Sequence, residues 1–116
     1  MISVKNVKSK PAATDGTRIY VDRLWTDGAF TRDVRVNTWN LEVAPSYDLW
    51  RFHYQPEKWD DFVVRYRDEL QSSDKKKALT DIHNLAKSET VTLLWGNGTD
   101  DQNCALALQD ILAEMG

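Results

Sequence analysis

The chain has one cysteine, Cys104, in 116 residues, so no intramolecular disulfide can form. A thiol without a partner suits a reducing compartment. No apolar run is long enough to cross a bilayer, the longest being stretches such as Val91 to Trp95. The segment Met1-Ile2-Ser3-Val4-Lys5 lacks the charged-then-apolar layout of a signal peptide. Together these absences predict a cytoplasmic protein with no membrane association. There is also no basic surplus. A net charge of −3 argues against a protein that grips nucleic acid through its phosphates. The short basic run Lys75-Lys76-Lys77 reads as a solvated helix face. Internal repeats, linkers and low-complexity tracts are missing as well.

What remains is ordinary globular usage, 41% apolar and 28% charged, in one domain's length of chain. Residues 2–7 alternate apolar and polar, as a half-exposed strand should. Residues 18–25 (Arg-Ile-Tyr-Val-Asp-Arg-Leu-Trp) begin β-branched and aromatic, the profile of a buried strand. Residues 38–43 alternate again and would place Trp39, Leu41 and Val43 on one face. Ser46 is suited to cap a short helix through His53, and Pro56 to open a second one. In that helix Trp59, Phe62, Val63, Tyr66 and Leu70 fall on a single stripe. Ser72 or Ser73 opens a third helix, with Ala78, Leu79, Ile82, Leu85 and Ala86 inward. Residues 91–95 suit a central strand. A last helix over 100–115 aligns Cys104, Leu108, Ile111, Leu112 and Met115. Interleaved strands and helices predict a single α/β domain over 1–116, with a partly parallel sheet of about four strands flanked by helices.

In such sheets functional groups gather at the carboxyl ends of the strands. Those ends supply Asp22, Arg23 and Trp25, then Glu42 and Ser46, and finally Trp95 and Asn103. An arginine beside carboxylates can clamp a small anionic ligand. It can equally serve as a salt-bridge partner of Asp22 or Glu42, and the pattern does not separate the two. On the first reading Asp22 and Glu42 orient or act as bases, Ser46 and Asn103 hydrogen-bond, and Trp25 and Trp95 form walls. On the second, the chain is a non-enzymatic interaction or regulatory module, and exposed aromatics meet a protein partner.

Other candidates fall away. Gly96-Asn97-Gly98 lacks both the Gly-Lys-Ser/Thr ending of a Walker loop and the third glycine of a Rossmann turn. Asp100 and Asp101 would repel a phosphate there and read better as acids complementing a helix dipole. His53 and His83 have no metal-ligand spacing to each other or to Cys104, so neither metal nor cofactor is expected. Cys104 shares a helical face with Leu108 and Ile111, which favours a buried, inert thiol. Trp39 and Trp59, at periodic positions, read as core. The reaction class, if any, does not follow from these residues.

Several segments, in order along the chain, resemble a known family. They are Asp15-Gly16, Arg18 to Trp25, Ala44-Pro45-Ser46, Pro56-Glu57-Lys58-Trp59, Phe62, Arg65-Tyr66, Glu69-Leu70, Val91 to Leu94 and Asn103. Together they resemble the YeaO-like branch of domain-of-unknown-function family 488. The resemblance implies a compact bacterial α/β domain and brings no activity with it. The family usually continues Pro-Arg-Gly where this chain has Thr26-Asp27-Gly28. It often carries a lysine, an acid and a histidine where Gly98, Thr99 and Gln102 stand, and a histidine where Tyr54 follows His53. By that comparison the chain keeps Asp22, Arg23, Ser46 and Asn103, which implies a different ligand or a degenerate site.

Overall fold

The apolar run Val91–Trp95 forms a strand buried at every position, because it lies between two neighbours inside a parallel sheet. The computed structural model describes residues 1–24, 35–52 and 55–115. Its strands are β1 (Ile2–Asn6), β2 (Thr17–Tyr20), β3 (Thr38–Trp39) and β4 (Val91–Trp95). Its helices are α1 (Tyr47–Phe52), α2 (Trp59–Glu69), α3 (Ser73–Ser88) and α4 (Cys104–Ala113). The sheet order is β1-β4-β2-β3, and every pairing is parallel. The architecture is therefore α/β, and the sheet is more uniformly parallel than the sequence predicts.

The two faces of the sheet are covered differently. Ile19, Val21, Val91, Leu93 and Trp95 share one core with buried residues of all four helices. Phe62, Tyr66 and Leu70 from the α2 stripe, and Leu79 and Ile82 from α3, enter that core as their spacing predicts. On the opposite face Tyr20 and Leu94 pack with Val7 and Val36. The 3₁₀ turn Ala13–Asp15 closes the same side, its Asp15 carbonyl accepting from the Thr92 hydroxyl at 2.7 Å.

Several boundaries differ from expectation, each for a local reason. β2 ends at Tyr20 rather than residue 25. One more ladder bond follows, from Val21 N–H to the Leu94 carbonyl, and then the Asp22 side chain takes over the pairing. β3 stops at Trp39, because residues 41–45 curl so that the carbonyls of Leu41, Ala44 and Pro45 converge on Arg23. Pro56–Lys58 forms a 3₁₀ turn, and α2 proper starts at Trp59. α4 starts at Cys104, so Asp100 and Asp101 precede the helix and the capping falls to Asn103. Trp39 is 41% exposed instead of core, since its strand lies at the sheet edge. Met115 lies past the end of α4 and is exposed as well.

Candidate functional site at the strand ends

The chain leaves β2 beside the end of β4, and Asp22 bridges the two. Its Oδ2 accepts from the Gly96 and Asn97 N–H groups at 3.1 and 2.9 Å, and Oδ1 accepts from Arg23 N–H at 2.9 Å. The side chain is fully buried. The Asn97 amide donates to the Leu24 carbonyl at 3.0 Å, and the Trp39 indole N–H donates to the Asp22 carbonyl at 2.8 Å. The loop after β4, the exit of β2 and the edge strand are thus stitched into one corner.

Arg23 forms neither of its expected ion pairs. Its Nε donates to the Pro45 carbonyl at 2.7 Å, and Nη2 donates to the carbonyls of Leu41 at 3.3 Å and Ala44 at 3.4 Å. A guanidinium is suited to this, because its rigid fork can collect several carbonyls at once. Glu42 sits exposed in the same turn and uses backbone groups: its N–H donates to Asn40 Oδ1 and its carbonyl accepts from Lys75 Nζ.

Ser46 serves α1 as its spacing predicts, Oγ accepting from Leu49 N–H at 3.2 Å. Its hydroxyl donates to Glu69 Oε2, and its own N–H donates to Glu69 Oε1 at 2.9 Å. Asn103 is fully buried, with Oδ1 accepting from Leu106 N–H and Nδ2 donating to the Thr99 carbonyl, both at 2.9 Å. Trp95 lies within the core. Trp25 and His53 lie outside the described residues, while His83 is half-buried on α3.

Two further groups join the corner. The Cys104 thiol, in the first turn of α4, is buried 3.6 Å from the Val21 carbonyl. Burial pushes its pKa well up, and the neighbouring Asp22 carboxylate pushes it further. A helix N-terminus would lower a thiol pKa, but here the opposing effects dominate and the group stays protonated. Tyr66 is also buried, its hydroxyl donating to the Val43 carbonyl. Burial raises this phenol as well, and the Asp22 and Glu69 carboxylates add to it. The corner brings together a carboxylate, a thiol and a phenol, and burial favours the protonated thiol and phenol.

Glu69 and the Tyr66 hydroxyl were not foreseen as members of this corner. Their signal was available, since Glu69 follows Tyr66 by three positions and continues the inward side of α2. Several cavities are lined by described residues. Ser46 borders one of ≈ 510 Å³ between α1 and α2. Among the described residues no cluster of three or more His, Cys, Asp or Glu side chains could hold a metal. No described helix is long and apolar enough to cross a membrane.

Residues 1–115 match the family model described as the inactive DUF488-N3 subclade. The chain belongs to the DUF488 family. It is 36% identical to the uncharacterised YeaO protein of Escherichia coli K12 over 116 residues, 98% of each chain. It is 42% identical over 80 residues to an uncharacterised protein of Mycobacterium tuberculosis H37Rv, and equally to one of Mycobacterium bovis. That match takes in 67% of this chain and spans 64% of the mycobacterial proteins' length. No solved structure matches the chain. The YeaO-like membership agrees with the Asp-Arg-Leu-Trp and Pro-Glu-Lys-Trp segments. In this DUF488 chain the Asp-Arg pair forms the corner of the sheet.

Proposed function

We propose that this DUF488 chain is a non-enzymatic interaction module, in which the polar residues at the strand ends act as architecture. The observation that carries the reading is the commitment of one edge of the Arg23 guanidinium, whose Nε and Nη2 donate to the carbonyls of Pro45, Leu41 and Ala44. Beside it both Asp22 oxygens accept backbone N–H groups. A two-point anion clamp takes both N–H groups along one edge of the guanidinium, and the edge formed by Nε and Nη2 is already occupied. The matched subclade's description as inactive supports the same reading. Leu24, Trp39 and Leu41 are exposed at this end of the sheet, which supports another polypeptide as the partner.

The test is a thermal-shift comparison of the wild type with Arg23→Ala and Arg23→Lys, against anionic metabolites, nucleotides and sugar phosphates. Lysine keeps the charge but cannot reach three carbonyls in a fixed plane. Both variants are expected to melt lower by similar amounts, on the order of 2 kcal/mol for the lost charge-assisted bonds. No compound is expected to stabilise the wild type through Arg23. An anion that raises the wild-type Tm, and does so less in Arg23→Ala, would restore the anion-clamp reading.

A further inference from the structure

The helix layer contains a cavity of ≈ 390 Å³, where the ends of α2 and α4 meet the N-terminal half of α3. It is independent of the strand-end corner. Its floor is apolar: the core residues Leu70, Leu79 and Ile111 line it, while the exposed Gln71, Thr80 and Met115 stand at the rim. A concavity of this size over an apolar floor lies within the usual range for small-ligand sites.

The rim decides the chemistry of the ligand. Arg67 and Glu114 face each other in a two-point ion pair, Nη1 to Oε2 and Nη2 to Oε1 at 2.9 Å, so their charges cancel. Asp110, one turn earlier on α4, adds negative charge near Arg67. Lys76 differs. Its N–H donates to the Ser72 carbonyl and its carbonyl accepts from the Thr80 hydroxyl at 2.9 Å, which holds the backbone. Among the described residues its ammonium makes no ion pair. The cavity thus offers an apolar floor, a neutralised pair on one side and a single uncommitted cation on the other.

We infer that this cavity binds an amphipathic monocarboxylate of medium chain length, its apolar tail over Leu70, Leu79 and Ile111 and its carboxylate at Lys76. A sugar phosphate or nucleotide would meet the apolar floor with a polar body and bring more negative charge than one lysine answers. A neutral apolar molecule would fill the floor but leave Lys76 unanswered.

Octanoate and 1-octanol, matched in tail length, separate these cases. Calorimetric titration of the full chain should give tighter binding for octanoate. In Lys76→Gln, an exposed substitution that leaves the floor intact, octanoate should weaken about two- to fivefold, the range an exposed ion pair supplies. Octanol should bind both forms alike. Amide shift changes on octanoate binding should centre on residues 67–80 and 111–115. Equal affinity of the two probes, or an octanoate affinity unchanged in Lys76→Gln, would overturn the assignment. So would shifts centred elsewhere. Failure of octanoate to bind a chain that sediments as a dimer would assign the cavity to a second copy instead.

Discussion

At the start of β2 a single carboxylate, Asp15, answers two cations. Lys5 Nζ lies 2.7 Å from Oδ1, and the fully buried Arg18 donates to Oδ2 at 2.6 Å. Burial alone would push this carboxyl up. The bonds from Lys5, the Ala12 N–H and Arg18 outweigh it and bring the pKa from 3.8 down to about 2. A folded-state pKa below the unfolded value contributes stability that is complete above about pH 4 and is lost as pH falls towards 2. The contribution is on the order of 2 kcal/mol. Urea midpoints measured from pH 5 to pH 2 should fall, and the fall should be shallower in Asp15→Asn by about that amount. An identical slope in the two proteins would assign the acid sensitivity to other carboxylates. Arg18 is a buried charge in β2 held by Asp15, three residues before it, and by the Arg35 carbonyl, which accepts from Nε at 2.6 Å; the second partner lies seventeen residues on and outside any local window.

Among the elements, α4 shows how a boundary moves when one side chain satisfies the helix end. Two aspartates at 100 and 101 look like the start of a helix, yet the first orphan N–H accepted by a side chain is that of Leu106, through Asn103. Asn103 also closes the preceding loop through Thr99. Asn103→Ala should therefore cost more than an ordinary cap, roughly 2 kcal/mol, and lower the Tm by several degrees. A loss under about half a kilocalorie would mean that Asp100 or Asp101 can take over. The amphipathic helices were legible in the sequence, since the 3.6-residue stripe of α2 and α3 needs only local periodicity. The strand β4 was equally legible from its unbroken apolar run. The start of β3 was legible too, but its end was not, because the turn that ends it is drawn in by Arg23, eighteen residues before Leu41 and far outside any local window.

For the whole molecule, the reach of the core can be read through Cys104. Its thiol is 1% exposed beneath α4 and next to Asp22, and burial holds it protonated. Labelling by an aromatic disulfide reagent should be negligible in the native state and go to completion, one thiol per chain, once the protein is unfolded. The native rate should track the population of opened molecules and rise with urea. Rapid labelling in buffer would mean that α4 detaches from the sheet under native conditions. The α/β class, the helix stripes, the Ser46 cap and the buried cysteine follow from composition and periodicity, because each depends on residues close together in the chain or on the amount of apolar side chain to bury. Tertiary structure decided the rest. It brought Arg23 to the carbonyls of a turn instead of the Asp22 or Glu42 carboxylate, exposed Trp39 at a sheet edge, drew Glu69 to Ser46 and left Lys76 without an ion pair over an apolar floor. Each of these turns on which distant backbone carbonyl, carboxylate or opening lies within hydrogen-bonding reach, a relation set by how strands and helices stack and not by the order of residues along the chain.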